Sequence, residues 1–431
     1  MGFGSPRFAG EAGALDLELF VSQGFSLLLY FKQVEYETSM PNSNNLPKVA
    51  IISSLTGGLG HYCAHLASPL SKYFSLKFIA YPQIDLTGTI VKQITDSFVK
   101  KHVKWPRFDL DESNPISIVQ INDYLQSRGI NLINIHVATT VKRKIQYFTT
   151  FFLYSKKFNH KKFIFTLHDV LPFDEDKKLI KLLKVFYSLA DYFTVGNENE
   201  KGKLIKYFDI PNSKIVIIPH GIYNLFDANI YTQERARDYL GLPNDKKIIL
   251  FFGFLREYKG FNYLIDAAHI LEKKNNNFVI YVASGLKYTP KDLVERYLKT
   301  IEQLNLQDKF ILNLNYLDTV DIEAVFKASD VVALPYTHAS QSGVMMMAFG
   351  FKKPVVITDA FYDKNWIDKK AGLVAENKNP QSLAEKTYEL ITDDQKMKNF
   401  GEYGYQYAQK AFNWNIVAKK YAQIYQKVLK Q

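Results

Sequence analysis

Short apolar segments that are typical of buried strands alternate with helical segments along the chain from Lys48 onward. In the first half these strands are predicted at Val49–Ser53, Leu76–Ala80, Leu132–His136, Phe163–Leu167, Tyr192–Val195 and Ile215–Ile218. In the second half they are predicted at Ile248–Phe252, Phe278–Ala283, Phe310–Leu312 and Val331–Leu334. Strands that are apolar along their whole length, with a helix after each, indicate parallel sheets covered by helices on both faces. The sequence therefore predicts an α/β protein of two doubly wound, Rossmann-like domains.

The length of 431 residues is too great for one ordinary core and fits two domains of about 200 residues each. We assign residues 48–225 to an amino-terminal domain and residues 226–410 to a carboxyl-terminal domain. Residues 411–431 form a last helix, expected from Trp414 to Leu429, and the sequence leaves open whether it returns to the first domain. Residues 1–47 precede the first strand, and we assign them no function.

The chain carries a formal net charge of +11, which favours acidic partners such as nucleotides, lipid headgroups or nucleic acid. Its one cysteine, Cys63, cannot form an internal disulfide, which fits a reducing compartment. No apolar run approaches the roughly 20 residues that span a bilayer. We therefore expect a cytoplasmic protein, with a peripheral position on the inner face of the cell membrane as an open alternative.

Polar turns follow several of the predicted strands, and two of these turns favour an anion. The turn after Val331–Leu334 opens an apolar helix, and the N–H groups at the start of such a helix attract phosphate. The strand Ile248–Phe252 leads into Gly253–Gly260, where Arg256 and Lys259 place two cations close together. Ligands of open α/β sheets bind outside the carboxyl ends of the strands. The two turns together predict a site for a nucleotide diphosphate.

The order of these segments resembles that of the family 4 glycosyltransferases, which are retaining enzymes of GT-B fold. The segments that carry the resemblance are Thr56–Gly60, Thr166–Asp169, Ile217–Gly221, Gly253–Gly260, Ser340–Gly343 and Phe412–Trp414. The resemblance covers residues 48–425 and implies transfer of a hexose from a nucleotide-sugar donor to a glycan or lipid-linked acceptor. Such a reaction would belong to polysaccharide or glycoconjugate biosynthesis. The resemblance also implies that neither a metal ion nor a cofactor takes part.

The resemblance implies roles for particular residues in the cleft between the domains. Arg256 and Lys259 would hold the donor diphosphate and stabilise the charge that builds on it as the sugar leaves. His168 would touch the transferred sugar, since a neutral imidazole can donate to a hydroxyl near neutral pH. The implied donor-binding residues are Gly57, Gly58, Gly60, Gly253, His338, Ser340, Gln341, Ser342, Gly343 and Val344. No spacing of Cys, His and carboxylate residues predicts a metal site.

The turn before the apolar helix departs from the pattern of the family. Most members have a glutamate at this turn and a second one further along the helix, whereas Ser340–Gly343 and Met345–Ala348 hold no carboxylate. The Ser-Gln-Ser-Gly form resembles a variant subgroup. The departure keeps open a protein of transferase ancestry that has lost activity and binds a sugar nucleotide or acts as a scaffold. A nucleotide-sugar epimerase of GT-B fold is a third alternative, and it would need carboxylates in the cleft.

Lysine-rich segments with aromatic neighbours run through the first half of the chain. They are Lys100–Trp105, Lys142–Phe148, Lys156–Lys162 and Lys177–Lys184. Solvated helix faces explain such a pattern without any partner. An anionic membrane surface beside a lipid-linked acceptor also explains it, with Trp105, Tyr147 and Phe148 entering the interface. Nucleic acid is not expected as a partner, because no known binding module accompanies the charge.

Overall fold

Parallel strands in two separate sheets form the frame of the protein, as a computed structural model shows. The structure describes residues 46–54, 57–80, 83–84, 90–91, 99, 101, 103, 116–137, 142–171, 177–286, 289–315, 317, 319–362 and 364–431. The extension 1–47 therefore lies outside the described residues, apart from positions 46 and 47. Residues Leu46–Gln431 form one structural unit.

The two large sheets contain six strands each. In chain order the strands are β1 (Lys48–Ser53), β2 (Ser75–Ala80), β3 (Gln83–Ile84), β4 (Ile90–Val91), β5 (Leu132–Val137), β6 (Lys162–Leu167), β7 (Tyr192–Val195), β8 (Ile215–Ile217), β9 (Lys247–Phe252), β10 (Phe278–Ala283), β11 (Phe310–Asn313), β12 (Val331–Leu334), β13 (Val355–Thr358) and β14 (Gly372–Ala375). The first sheet has the order β2-β1-β5-β6-β7-β8, and the second has the order β11-β10-β9-β12-β13-β14. All neighbouring strands in both sheets are parallel, which confirms the predicted pair of doubly wound sheets.

Helices cover both faces of the first sheet. The helices of the whole chain are α1 (Gly57–Ser71), α2 (Ile116–Ser127), α3 (Lys142–Asn159), α4 (Lys177–Tyr187), α5 (Glu198–Phe208), α6 (Gln233–Leu240), α7 (Phe261–Glu272), α8 (Lys291–Gln303), α9 (Thr319–Ala328), α10 (Gly343–Gly350), α11 (Lys364–Ile367), α12 (Pro380–Ile391), α13 (Asp394–Ala411) and α14 (Trp414–Leu429). Alternate side chains of a strand point to opposite faces. Accordingly, Ala50 and Ile52 pack with α2–α5, whereas Val49 and Ile51 pack with α1 and α14.

The last helix, α14, lies against the first sheet although it follows the second sheet in the chain. The Tyr421 hydroxyl lies 3.1 Å from the Tyr62 hydroxyl of α1. Asn134 Nδ2 of β5 donates to the Tyr425 hydroxyl at 2.6 Å. All four of these side chains are buried. The helix therefore completes the polar interior of the first half of the molecule.

The connection from the first sheet to the second runs beside the return of the chain to α14. The Ile222 N–H donates to the Phe412 carbonyl oxygen at 2.9 Å. Further along, the buried Glu323 carboxylate of α9 accepts from the N–H groups of Ala228 and Ile230 at 3.0 and 2.7 Å. Hydrogen bonds from backbone N–H groups stabilise a buried carboxylate. The connection is therefore fixed to the second domain.

The three glycines of Gly57–Gly60 favour a loop after β1, and this prediction from local sequence is wrong, because the residues form the first turn of α1. Glycine is a poor helix former, which made a turn the better prediction from local sequence. Packing of the rest of the helix decides the outcome, since Tyr62, Leu66 and Leu70 of α1 are buried against the first sheet.

The expected entry of Phe148 into a membrane interface is also wrong. Phe148 is 6% exposed and packs among the apolar residues beneath the first sheet. The Tyr147 hydroxyl lies 2.5 Å from the Ser117 hydroxyl of α2, so its polar end is held within the helix layer. Trp105, the third aromatic of that prediction, lies outside the described residues. In the described part of the chain, no helix combines the length and the apolar content needed to cross a membrane.

Candidate functional site

The turn before α10 crosses the cleft and contacts two loops that follow strands of the first sheet. The Ser340 hydroxyl donates to Asp169 Oδ1 at 2.6 Å, and Asn197 Nδ2 donates to the Ser340 carbonyl oxygen at 2.6 Å. The Gln341 side chain occupies the space above Gly196, where a Cβ atom would lie 0.8 Å from Gln341 Nε2. The turn therefore joins the carboxyl ends of strands from both sheets.

The amino-terminal end of α10 is capped within this turn. Ser342 Oγ accepts from the Met345 N–H at 3.2 Å. A Cβ atom at Gly343 would lie 3.1 Å from Tyr223 Cε2 and 3.5 Å from His220 Nε2. The first N–H groups of a helix have no carbonyl partner within that helix. They carry partial positive charge and can bind an anion here.

Lys259 provides a buried cation beside the start of α10. The residue is 8% exposed, and its Nζ donates to the Tyr336 hydroxyl at 2.9 Å. A Cβ atom at Gly253 would lie 3.1 Å from Lys259 Nζ and 3.9 Å from Val344 Cγ2, so these residues meet. Burial lowers the pKa of Lys259, and the nearby charge of Arg256 lowers it further. An anion that binds beside Lys259 would therefore stabilise its charged ammonium form.

Gly260 presses the short turn Glu257–Lys259 against the loop that follows β12. It has a φ of 67°, and a Cβ atom there would lie 1.9 Å from the Pro335 carbonyl oxygen. Glycine adopts this left-handed conformation without steric cost and leaves room for the close approach. Arg256 precedes the turn in an extended conformation and is half-buried. Both predicted cations thus lie on one loop that is packed against the start of the Ser340 turn.

His168 comes to the site from the first sheet as one of a pair of histidines. Its Nε2 lies 3.2 Å from Nδ1 of His136, which is completely buried. Burial lowers the pKa of His136 to about 3, and burial with the neighbouring histidines lowers the pKa of His168 well below its usual value. Both rings are therefore neutral at pH 7, and one donates to the other. The Ser340 hydroxyl lies 3.3 Å from the His168 carbonyl oxygen.

His220 and Tyr223 connect the start of α10 with the start of α1. His220 Nδ1 donates to the Gly221 carbonyl oxygen at 2.7 Å, and burial lowers the pKa of His220 to about 4. The neutral ring therefore presents Nε2 as an acceptor next to Gly343. The Tyr223 hydroxyl donates to the Gly58 carbonyl oxygen at 3.2 Å. The glycines of α1 and the anion-binding end of α10 thus line one region.

The remaining predicted site residues lie partly at the start of α1 and partly in the turn before α10. Among the described residues, no atom beyond the chain neighbours and the helix backbone lies within 4 Å of a Cβ atom placed at Gly57 or Gly58. Gly60 is buried within α1. His338 is exposed, and its Nδ1 lies 3.1 Å from Thr337 Oγ1. Among the described residues, no hydrogen bond joins His338 to another predicted site residue.

Sequence analysis gave no individual role to three polar residues that shape this site. They are Asp169, Asn197 and Tyr336, and each stands two positions after the last residue of a strand, β6, β7 and β12. Ligands of open α/β sheets bind outside the carboxyl ends of the strands. Applied to every strand, that rule would have found all three.

Part of the chain is similar in sequence to known glycosyltransferases. Residues 232–407 match the family model described as Glycosyl transferases group 1. A D-inositol 3-phosphate glycosyltransferase of Corynebacterium aurimucosum is 27% identical over 244 residues, which are 55% of this chain and 56% of that protein. An uncharacterized glycosyltransferase of Methanocaldococcus jannaschii is 27% identical over 264 residues, 59% of this chain and 64% of that protein. The chain thus spans less than two thirds of these curated relatives.

The fold is similar to solved glycosyltransferase structures over most of the chain. A glycosyltransferase from Rickettsia africae has a TM-score of 0.69 and 18% identity, covering 90% of this chain and 100% of that one. Anabaena HepE in complex with UDP-glucose has a TM-score of 0.70 and 16% identity, covering 88% of this chain and 99% of that one. At these identities the likeness shows the fold, and it confirms the predicted GT-B architecture. The chain therefore has a GT-B fold, and its residues 232–407 match the family model of the group 1 glycosyl transferases.

Proposed function

We propose that this protein is a retaining glycosyltransferase that moves a hexose from a nucleotide-sugar donor to a glycan or lipid-linked acceptor. The fold and the group 1 domain support transferase chemistry. Anabaena HepE was solved in complex with UDP-glucose, so UDP-glucose is the first donor to test. We place the donor between Gly253–Gly260 and the start of α10, with the acceptor on the side of the first sheet.

The observation that carries the proposal is the buried ammonium of Lys259 beside the start of α10. Among the described residues, Lys259 forms no ion pair with a carboxylate, and its partner Tyr336 is neutral. A buried cation without a counter-charge is unfavourable, so an anion that enters gains a poorly screened attraction. The first N–H groups of α10 offer partial positive charge in the same region. A diphosphate satisfies both features at once.

The same groups stabilise the charge that builds on the diphosphate as the bond to the sugar breaks. Lys259, Arg256 and the N–H groups of α10 act on this leaving group, and none of them has to move during the step. His168 is neutral, so it can hydrogen-bond to a sugar hydroxyl without adding a charge. We assign no covalent nucleophile, and the acceptor attacks on the face from which the diphosphate departs.

We further propose that the transfer does not depend on a metal ion. Arg256, Lys259 and the start of α10 supply the positive charge that a divalent cation supplies in other transferases. Within the described residues, no group of three or more His, Cys, Asp or Glu side chains is arranged to hold a metal. Turnover that survives EDTA would support this proposal. Loss of turnover that Mg²⁺ or Mn²⁺ restores would contradict it.

The proposal is tested with Lys259→Ala, and Lys274→Ala, an exposed lysine, is the matched control. Removal of the buried cation should weaken binding of UDP or GDP by about 2–4 kcal/mol, the range for breaking a buried charged contact. The control should bind like the wild type. Calorimetry measures the binding, and release of UDP or GDP from a panel of nucleotide sugars measures turnover. Equal nucleotide affinity in all three proteins would contradict the donor site.

Turnover also separates the transferase from its alternative. Binding that depends on Lys259, without release of nucleotide from any donor in the presence of a membrane extract, would favour an inactive sugar-nucleotide-binding protein. Release with any donor in that panel would exclude it. The extract is needed because it supplies glycan and lipid-linked acceptors together.

We also propose that the acceptor side rests on an anionic membrane surface, which would place the protein peripherally on the inner face of the cell membrane. Lys177, Lys181 and Lys184 are exposed along α4 at helical spacing. Beside them, Val185 is 54% exposed. A helix with this combination of cations and exposed apolar surface is suited to an anionic lipid interface.

A further inference from the structure

Asp169 brings a carboxylate to the turn before α10 from the other side of the cleft. The turn itself, Ser340–Gly343, contains no acidic residue. The Ser340 hydroxyl donates to Asp169 Oδ1 at 2.6 Å. Resting on the proposed function, we propose that the Asp169 carboxylate accepts hydrogen bonds from hydroxyl groups of the transferred sugar and so selects which sugar the protein uses.

Val170, the residue after Asp169, is held through both its N–H and its carbonyl group, which fixes the backbone beside the Asp169 carboxylate. The Val170 N–H donates to Oε2 of the buried Glu200 at 3.0 Å, and the Tyr187 hydroxyl donates to the Val170 carbonyl oxygen at 3.1 Å. Lys203 pairs with Glu200 at 2.6 Å and balances that second carboxylate. A residue that discriminates between ligands needs support of this kind, because small displacements remove the discrimination.

The charges of Asp169 and Lys259 both affect the pKa of one side chain, Tyr258. Burial raises the pKa of Tyr258, the charge of Lys259 lowers it, and the charge of Asp169 raises it. The Asp169 carboxylate and the cation that we assign to the diphosphate are therefore both close enough to Tyr258 to affect its titration. A carboxylate repels a phosphate. The part of the donor that lies beside Asp169 is then its uncharged, hydroxyl-rich sugar.

A sugar hydroxyl is the same kind of donor as the Ser340 hydroxyl that Asp169 already accepts. An ionised carboxylate has about four acceptor positions, so one bond to Ser340 leaves room for others. Burial raises the pKa of Asp169 to about 6, and the group is therefore mainly ionised at pH 7. In an epimer, one hydroxyl group of the sugar has the opposite orientation and cannot reach the carboxylate. A site built to bind that hydroxyl rejects the epimer, because the buried carboxylate is then left without a hydrogen-bond partner.

Asp169→Asn tests the assignment, with UDP, UDP-glucose and its C4 epimer UDP-galactose as probes. Affinity for UDP should stay within about twofold of the wild type, because a group beside the sugar adds little to binding of the diphosphate alone. The ratio of kcat/KM between the two UDP-sugars should fall at least about tenfold, since the variant loses a charge-assisted bond to one of them. Partial unfolding would lower both rates and leave the ratio unchanged. GDP, GDP-mannose and GDP-glucose replace these probes if the wild type binds GDP instead.

Asp245→Asn, which changes an exposed acid, is the matched control and should leave affinity and ratio unchanged. Asp169→Glu keeps the charge on a longer side chain, and it decides the question by the same comparison if Asp169→Asn does not fold. An unchanged ratio overturns the assignment. A parallel loss of UDP affinity also overturns it, because Asp169 would then act only as a clasp between the domains. Nucleotide binding that is indifferent to Lys259→Ala overturns the proposed function instead.

Discussion

Tyr336 is the residue that fixes the position of the Lys259 ammonium. It is 4% exposed, its hydroxyl accepts from Nζ, and its ring centroid lies 4.6 Å from Nζ. An aromatic ring and a hydroxyl oxygen attract a cation without cancelling its charge. A carboxylate in the same place would pair with the lysine and compete with a phosphate. The neutral partner therefore orients the cation and leaves it available.

Tyr336→Phe should weaken binding of UDP or GDP by up to about 1.5–3 kcal/mol, the value of a hydrogen bond to a charged group. The ring stays, but the charged form of Lys259 loses an acceptor. The pKa of Lys259, which burial already lowers, should then fall further. As the pH rises above 7, nucleotide binding should therefore weaken at a lower pH in Tyr336→Phe than in the wild type.

Calorimetry between pH 7 and pH 10 checks this shift. Tyr362→Phe, which changes a tyrosine that is 45% exposed, is the matched control and should follow the wild-type profile. A Tyr336→Phe profile that coincides with that of the wild type would show that the hydroxyl does not position the cation.

At the scale of elements, the strands could be predicted and the loops that carry the site could not. Buried parallel strands are apolar throughout, so their sequence marks them, and β10 and β12 have the predicted bounds. A turn is held by partners far away in the chain. Gly260 shows this, because its conformation makes sense only once Pro335 is known to lie against it. The sequence shows that a glycine is there and does not show the neighbour.

Gly253→Ala should disturb the loop after β9 and the cation together. Gly253 has a φ of 99°, and a Cβ atom there would lie 3.1 Å from Lys259 Nζ. Alanine is strained in this conformation, so the free energy of unfolding should fall by at least about 1 kcal/mol. Affinity for the nucleotide should fall too, because the ammonium is displaced.

Chemical denaturation and calorimetry measure these two effects. Gly202→Ala is the control, since Gly202 lies within α5 and no described residue outside that helix is within 4 Å of its Cβ position. That change should stabilise the protein by about 0.5–1 kcal/mol, because alanine is the better helix former. If Gly253→Ala bound the nucleotide as tightly as the wild type, this loop would not be part of the donor site.

At the scale of the whole molecule, the contacts between the domains lay beyond sequence reasoning. Ser340 and Asp169 are 171 positions apart, and their hydrogen bond exists only because the two sheets face each other. Local patterns in the sequence indicated the turn before α10 and the cation pair, and the family resemblance indicated His168. The sequence could not show that Asn197 and Asp169 would hold this turn from the opposite side. Such pairings depend on how two finished domains dock.

The net charge of +11 is a property of the whole molecule. Binding to lipid vesicles tests whether this charge holds the protein on an anionic membrane. Each lysine near an anionic surface contributes roughly 1 kcal/mol, and salt screens the attraction over about 8–10 Å. The protein should sediment with anionic vesicles at low salt, be released near molar salt, and ignore neutral vesicles. Replacement of Lys177, Lys181 and Lys184 by Gln should reduce the binding. Equal, negligible binding to both kinds of vesicle would show that α4 is an ordinary solvated surface.

The return of α14 to the first sheet has a consequence for how the chain is made. Proteins are synthesised from the amino terminus, and domains generally begin to fold as they emerge. Here Asn134 and Tyr62, inside the first domain, find their partners Tyr425 and Tyr421 only when α14 has left the ribosome. The first domain is thus translated before the second and completed after it, and water must take the place of these partners until α14 arrives.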